Sequence, residues 1–222
     1  YDDARFTLAY QNYEESRIDR TRASNNRNIQ TDQVDATSIN WDATKKIGKG
    51  QLFYGLEYVH NKVGSFGKRT NISTNTITPT VSRYPDGSTL STTSIYSSYK
   101  INLHTKVTLT AGLRYSYNTL DASFDTTFIK FPYQDAALRD GAVTGNFGLV
   151  FRPAEGWQLN GNISTGYRMP NVDDIGKLFE SIPGNITVPN PDLIPEYAWN
   201  FEIGIVKNIP NKFRIELNGF HT

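Results

Sequence analysis

Residues 142–202 read AVTGNFGLVFRPAEGWQLNGNISTGYRMPNVDDIGKLFESIPGNITVPNPDLIPEYAWNFE, and the first half of this stretch alternates between apolar and polar side chains. A turn at 153–156 divides that half into two segments. The apolar parity of the two segments consists of Val143, Phe147, Leu149, Phe151, Trp157, Leu159, Ile163 and Tyr167. The other parity of the second segment consists of Gln158, Asn160, Asn162, Ser164, Gly166 and Arg168. This period of two predicts a β-hairpin with one apolar face and one polar face.

The same alternation recurs along the chain and predicts a meander of nine tilted, antiparallel strands. The predicted strands cover residues 4–13, 34–44, 51–61, 92–103, 106–120, 142–151, 157–168, 197–205 and 213–218. Long polar connections, at 16–33, 63–90, 121–141 and after Arg168, alternate with short turns near Gly48, His104, Glu155 and Ile209. All the short turns would then lie on one rim and all the long loops on the other. That asymmetry is typical of outer-membrane β-barrels.

Aromatic residues concentrate at both ends of the predicted strands. Trp41, Phe151 and Trp157 lie beside short turns. The residues beside the long loops are Tyr115, Tyr117, Tyr167, Tyr197 and Trp199. Such a distribution predicts two aromatic girdles about one membrane thickness apart.

Composition narrows the possible functions. The chain has 222 residues, a net charge of +1, 13 Tyr and 12 Phe, and no cysteine. The near-zero charge offers no field that would attract nucleic acid, and the lack of cysteine excludes disulfides and thiolate metal sites. No run approaches the length of an apolar transmembrane helix, and the mean hydropathy is −0.50. A β-barrel remains compatible with that value because it carries its apolar residues at every second position.

Two other folds fit parts of the pattern. A soluble β-sandwich also alternates, but its loops do not usually segregate by length and its core uses more aliphatic residues. A small complete barrel of about eight to ten strands would have an even strand number in a bacterial single chain. The nine predicted strands, the last of them reaching the end of the sequence at Thr222, favour a part of a larger barrel.

Two motifs carry a resemblance to a known family. GYRMPNVDDI stands at 166–175 and NPDLIPE at 190–196. This pair resembles the TonB-dependent outer-membrane receptors, in which an aromatic-Arg-x-Pro box and an Asn-Pro-x-Leu-x-Pro-Glu box flank one extracellular loop. The motif residues that the resemblance marks as loop candidates are Tyr167, Arg168, Pro170, Asn190, Pro191, Asp192, Leu193 and Glu196.

The resemblance implies the remaining features of the whole protein. The family's barrel has about 22 strands around a globular plug. Residues 1–222 are therefore expected to be one partial barrel domain, with the plug, the segment that engages TonB and the terminal strands outside this sequence. The expected location is the bacterial outer membrane. The expected partners are membrane lipid, the protein's own plug, the TonB energy-transducing complex and a small-molecule nutrient, with no nucleic acid.

The function that the resemblance implies is energised uptake of a scarce nutrient, most often an iron complex such as haem or a siderophore. A passive porin is the competing class, and uptake of cobalamin or an oligosaccharide is a further alternative. An outer-membrane enzyme would need a Ser or Asp with a His on the polar face near the rim, whereas His60 and His221 fall on the apolar parity. No catalytic residue, cofactor or metal site is predicted, since the three histidines are scattered singly.

Several polar residues have expected structural roles. Pro170 should end its strand, and Asn171 should cap a short helix running to Phe179, with Asp174 in the position of a capping box. Helix-cap and surface roles explain Asp173, Asp174 and Glu180 better than paired catalytic carboxylates do. Arg168 is expected to hold the loop to the barrel wall rather than to contact ligand. The residues expected to face the lumen or the plug are Glu57, Arg114, Arg168 and Glu202.

The loop between the two motifs bears on the cargo. Haem receptors of this family are expected to use a His in that loop, yet residues 171–189 contain no His, Cys or Tyr. Met169 is the nearby soft ligand, and a neutral thioether is a poor substitute for imidazole at an exposed site. If haem is the cargo, its axial ligand is expected to come from elsewhere, and an iron chelate or a cobalamin-like molecule is a serious rival.

Overall fold

The computed structural model describes residues 1–130, 133–176, 179–182, 185–187, 190 and 192–222. Almost all of its regular structure is β-strand. The elements are β1 (Asp3–Asp19), β2 (Asn26–Ile47), β3 (Gly50–Asn71), β4 (Ile77–Thr80), β5 (Thr89–His104), β6 (Val107–Ser123), β7 (Asp135–Phe151), β8 (Trp157–Arg168), α1 (Val172–Gly176), β9 (Phe179–Ile182), β10 (Asn185–Thr187), β11 (Glu196–Ile209) and β12 (Phe213–His221). Within the described ranges, no helix has the length and apolar character needed to cross a bilayer.

The strands form one antiparallel meander in the order β1-β2-β3-β5-β6-β7-β8-β11-β12. These nine strands confirm the meander predicted from the alternation. The short strand β4 adds to the upper part of β3, and β9 pairs with β10 as a separate hairpin inside the last long loop. The short turns include residues at positive φ, namely Gly48 at 58°, Gly156 at 71° and Asn211 at 58°. Glycine and asparagine adopt this left-handed conformation at little cost, which suits tight hairpin turns.

The strand register confirms the two faces. One row of paired residues crosses six strands and is apolar throughout: Phe6, Trp41, Leu56, Ile95, Tyr115 and Val143. The neighbouring row on the other face is Thr7, Asn40, Glu57, Ser94, Ser116 and Ala142. The apolar face, here called the outward face, is exposed over large side chains such as Leu113 and Ile203. In an outer-membrane barrel this is the face that meets lipid, and the other, inward face lines the lumen.

Several strands are longer than the alternation predicts, most of all at the long-loop end. β1 and β2 extend through most of the polar segment 16–33, and β3 extends to Asn71 instead of ending near 61. In this region Ser16 bonds Thr31 at 2.9 Å and Gln33 bonds Glu14 at 2.7 Å across the β1–β2 pair. Polar side chains dominate both faces there, so the period-two signal is lost although the backbone pairing continues. The prediction of a long loop at 16–33 was therefore wrong, and the connection is confined to residues 20–25.

The pairing between β7 and β8 stops before these strands end. Backbone register joins Asn146 to Ser164 and continues from there towards the short turn. On the long-loop side of this point, the Gly145 N–H donates to the Thr165 hydroxyl at 2.8 Å. The Tyr197 hydroxyl donates to the Val143 carbonyl at 2.6 Å. Side-chain hydroxyls thus bridge this seam where a backbone ladder would otherwise run.

Tyr167 lies at the same seam. It is paired with Tyr197 in the β8–β11 register, on the outward parity. Its hydroxyl nevertheless donates to Asp140, an inward residue of β7, at 2.7 Å. Tyr167 was expected to belong to an outward aromatic girdle. Its hydroxyl also connects β8 to the inward side of β7, so the girdle describes only part of its role.

The assignment of faces predicts opposite responses to lysine. Leu56→Lys, Leu109→Lys or Ile203→Lys should each destabilise the intact protein by about 2–4 kcal/mol, because a charge near the middle of the bilayer loses its hydration. Asn40→Lys and Asn200→Lys, on the inward face, should be tolerated better. Urea titration of the whole protein in lipid vesicles, followed by tryptophan fluorescence, measures the difference. Equal destabilisation by both sets would contradict the assignment.

Gly112 is also inward but makes a weaker control. A Cβ added there would lie 2.5 Å from the Asn146 Oδ1 atom, so the neighbouring amide would have to move. A loss of stability in Gly112→Lys would therefore combine a steric and an electrostatic effect. The two asparagine positions already carry a side chain, so their lysine variants report mainly the electrostatic effect.

Candidate ligand-facing site at the long-loop rim

The inward face changes from polar to apolar near the long loops. Strand residues of this face that enter or flank an apolar cluster are Val34, Val63, Leu90, Leu120, Ala122, Ala136 and Leu138. Residues from the connections that complete it are Tyr84, Phe124, Tyr133, Met169, Val172, Ile175 and Leu193. Leu120 and Ile175 are fully buried, each with 0% of its surface exposed. This cluster, here called the rim core, packs three long connections against the inner wall of the sheet.

The first motif forms the edge of the rim core. β8 ends at Arg168 as the proline two residues later predicts, and Pro170 is buried. The Asp174 N–H donates to Asn171 Oδ1 at 3.0 Å, and the Asn171 N–H donates to Asp174 Oδ2 at 2.9 Å. This reciprocal pair is the capping box expected from the sequence. The helix ends at Gly176 rather than at Phe179, since glycine is a poor helix former, and Phe179 instead begins β9.

Arg168 joins the loop to the wall. Its Nη2 donates to both oxygens of Asp174, at 2.8 and 2.6 Å, and its Nη1 donates to Glu196 at 3.3 Å. Glu196 is the first residue of β11, opposite Arg168 in the register. The guanidinium therefore connects the end of β8, the start of α1 and the start of β11, which is the geometry of a structural strut.

The second motif returns the chain to the wall. Asn190 Oδ1 accepts the Asp192 N–H at 3.0 Å, closing a local turn. Leu193 packs against the rim core, and Glu196 completes the contact with Arg168. Pro191 lies outside the described residues. Both motifs therefore meet at one place on the rim.

A second loop reaches the same place, and the sequence did not predict it. The Tyr84 hydroxyl donates to Asp173 of α1 at 2.6 Å, although 89 residues separate the two. Tyr84 belongs to the turn Tyr-Pro-Asp-Gly at 84–87, whose turn chemistry was visible, but not its partner. Burial and the Asp173 carboxylate raise the pKa of the Tyr84 phenol, so it remains a donor across the physiological range.

Buried polar contacts hold this second loop in place. Ser65 donates its hydroxyl to Asp32 at 2.6 Å and accepts the Tyr84 N–H at 3.1 Å. The Ser65 N–H donates to Asp86 at 2.9 Å. Arg83 lies 3.5 Å from Asp32, and both side chains are about nine-tenths buried. Because removing one partner of a buried ion pair is costly, these contacts fix the position of the turn.

A separate polar group lies deeper on the inward face. Arg114 forms an ion pair with Glu57 and donates to Ser94 at 2.8 Å and to Ser116 at 3.0 Å. Tyr96 donates to Asp42 and lies beneath the guanidinium, 5.5 Å from ring centroid to the Arg114 Cζ atom. The structure therefore brings Glu57 and Arg114 together. The residues of this set are here called the charged group: Asp42, Glu57, Ser94, Tyr96, Arg114 and Ser116. Asn40 lies beside it.

The other inward candidates lie apart from the charged group. Glu202 accepts a hydrogen bond from Asn200 at 2.8 Å on β11, and Arg168 stays at the rim. Asn40 was not among the site residues predicted from the sequence. Its Oδ1 atom is buried and has no hydrogen-bond partner among the residues that the structure describes, which is unusual for a buried acceptor.

The whole sequence, residues 1–222, matches the family model described as TonB dependent receptor-like, beta-barrel. No curated protein sequence matches the chain. Among solved structures, the copper transporter OprC superposes with a TM-score of 0.80 at 14% identity, over 98% of this chain and 34% of that chain. The Serratia marcescens hemophore receptor HasR, solved with its hemophore HasA and heme, gives a TM-score of 0.66 at 14% identity, over 99% and 40%.

A third solved structure, the ferric yersiniabactin uptake receptor FyuA from Yersinia pestis, gives a TM-score of 0.63 at 16% identity, over 99% of this chain and 33% of that chain. At identities this low the likeness shows the fold alone. This chain spans between a third and two-fifths of the length of these three proteins.

The capping box and the strut share one residue, which makes Asp174 the sensitive position of the loop. Asp174→Ala removes the cap on Asn171 and the main partner of Arg168, and should destabilise the loop locally by about 1 kcal/mol. Hydrogen exchange of the amide of Asn171 in the intact protein should become faster by a corresponding factor. Glu196→Ala is the matched control, because Glu196 is 73% exposed and its side chain contacts the arginine without taking part in the capping box. Similar acceleration in both variants would show that the cap contributes nothing.

Proposed function

Because this chain belongs to the TonB-dependent receptor-like β-barrel family, whose members are transporters of the bacterial outer membrane, we propose that the whole protein takes up a scarce nutrient by energised transport. The cargo that fits best is an iron complex such as haem or a siderophore. A plug that fills the barrel, and contact of the whole protein with the TonB complex, belong to the same proposal.

The rim core is the observation that carries the proposal. It packs residues of three long connections against the inner wall, and Arg168 and Tyr84 add polar ties between them. A passive pore needs an open mouth, whereas a receptor needs loops that present a shaped surface to a ligand before transport. Packed loops at this rim favour a receptor over a porin.

The charged group supports the proposed plug. Glu57 and Arg114 are each about a third exposed. A protein domain seated in the lumen could exclude water from this ion pair. Such contacts gain strength in a water-poor environment.

The placement of soft ligands favours a preformed chelate over a bare metal ion. Met169 is partly buried and packs against the rim core. His60 lies on the outward parity and bonds Ser91 at 2.8 Å, His104 lies at a short turn, and His221 pairs with the outward Phe201. A chelate whose iron is already saturated needs only hydrogen bonds and apolar contacts from the rim.

Uptake by living cells tests the proposal directly. The intact receptor, expressed in a strain that lacks its own iron receptors, should accumulate ⁵⁵Fe from one member of a panel of ferric siderophores and haemin. Accumulation should require TonB, because transport against a gradient needs energy. A matched strain without TonB is the control. Accumulation that is equal in both strains would identify a passive pore and overturn the proposal.

Haem binding has its own test at Met169. If haemin binds the intact receptor, Met169→Leu should leave the shifted Soret band in place, because the leucine preserves the packing of the rim core and the iron ligand lies elsewhere. Titration with haemin, followed at the Soret band in both proteins, measures this. A shifted band that disappears only in the variant would show that Met169 is the axial ligand.

A further inference from the structure

The inward face changes its chemistry across the sheet. The charged group lies on β2, β3, β5 and β6. The inward side chains of β7 from 144 to 150 and of β8 from 158 to 166 carry no charge at all. Six of them are here called the amide wall: Asn146, Gly148, Gln158, Asn160, Asn162 and Ser164. Beyond it, β11 and β12 again carry inward charges, at Glu202, Arg214 and Glu216.

Part of the amide wall is flat because Asn146 and Asn162 lie over glycines. A Cβ placed on Gly112 would sit 2.5 Å from Asn146 Oδ1, and one on Gly148 would sit 3.6 Å from Asn162 Oδ1. The amides therefore occupy the space that neighbouring side chains would fill. They lie along the wall instead of projecting far into the lumen.

The amide wall also satisfies part of its own hydrogen bonding. Gln158 Nε2 donates to Asn160 Oδ1 at 2.8 Å, and Asn162 Nδ2 lies 3.4 Å from Ser164 Oγ. These are neutral bonds between side chains that retain further donors and acceptors. The charged group differs, because it holds the ion pair of Arg114 with Glu57.

Building on the proposed function, we propose that the cargo crosses the barrel along the amide wall while the plug stays attached to the charged group. Passage needs contacts strong enough to admit the cargo and weak enough to release it. A row of exchangeable, uncharged hydrogen-bonding groups provides such contacts, whereas a fixed ion pair would hold either the cargo or the plug. The cargo class is an oxygen-rich chelate that offers many hydrogen-bonding groups.

A groove on the inward side marks the border between the two regions. Its volume is about 310 Å³, and it runs from Tyr96 and Arg114 past Gly112 to Asn146 and Ser164. The groove thus begins at the charged group and opens onto the amide wall. If a plug is held at Tyr96 and Arg114, a passage would open first between the plug and the amide wall, at the other end of the groove.

Cysteine labelling tests this without knowledge of the cargo. The chain has no cysteine, so Asn162→Cys on the amide wall and Asn40→Cys beside the charged group each add one thiol to this part of the receptor. Both positions are half-buried asparagines of the inward face. Whole cells with the intact receptor are exposed to a small hydrophilic maleimide, with and without TonB. Ser164→Cys and Ser38→Cys form a second matched pair if either asparagine variant fails to fold.

We expect the cysteine on the amide wall to react several-fold faster than its partner, with a larger difference in cells that have TonB. Equal rates for both cysteines, in both strains, would overturn the path along the amide wall. Faster reaction beside the charged group would overturn it too. The uptake experiment separates the two proposals, because intact TonB-dependent uptake with equal labelling rejects the path alone, whereas uptake without TonB rejects the proposed function.

Discussion

Backbone pairing in hydrocarbon is the constraint on which this structure depends. Lipid offers no partner to an N–H or C=O group, so every strand within the bilayer must be bonded on both sides. The antiparallel meander meets this demand for the strands between β1 and β12, and it forces successive side chains to opposite faces, one for lipid and one for the lumen. The backbone groups at the seam between β7 and β8 also need hydrogen-bond partners. Where the ladder stops, hydroxyls of Thr165 and Tyr197 take over the bonding of Gly145 and Val143.

The same constraint explains why the loops are built as they are. Above the bilayer, water can satisfy the backbone, so strands are free to end and connections can take irregular shapes. Connections of this length lose much conformational entropy when they become ordered. The rim core offsets that cost by burying Leu120, Val172 and Ile175. The hydrogen bonds of Arg168 and Tyr84 to α1 then fix how the loops are oriented. The inner wall of the barrel therefore acts as the support on which a ligand-facing surface is assembled.

The sequence predicted the features that a period of two can encode. The faces of Leu56 and Glu57, the short turns and the number of wall strands follow from alternation, and the capping box of Asn171 follows from local spacing. The end of β3 did not follow, because from Val63 onward its few apolar residues no longer share one face. The contact of Tyr84 with Asp173 could not be predicted either, since 89 residues of chain separate two groups that only the fold brings together. A switch from polar to apolar residues on the inward parity, at Val63 and Leu120, was the available signal of the rim core.

Three uses of the inward face follow from the two proposals. At the rim, apolar inward residues hold the loops, and the loops fix a surface where a ligand could be recognised. Deeper in the wall, the ion pair of Glu57 and Arg114 suits a permanent protein neighbour, because a charge that loses its partner in a water-poor environment is costly. The neutral amides of β7 and β8 carry no such requirement. A plug could therefore separate from that part of the wall at least cost, since no charge would be left unpaired there. In the proposed mechanism, capture, anchoring and passage thus occupy three different sections of one sheet.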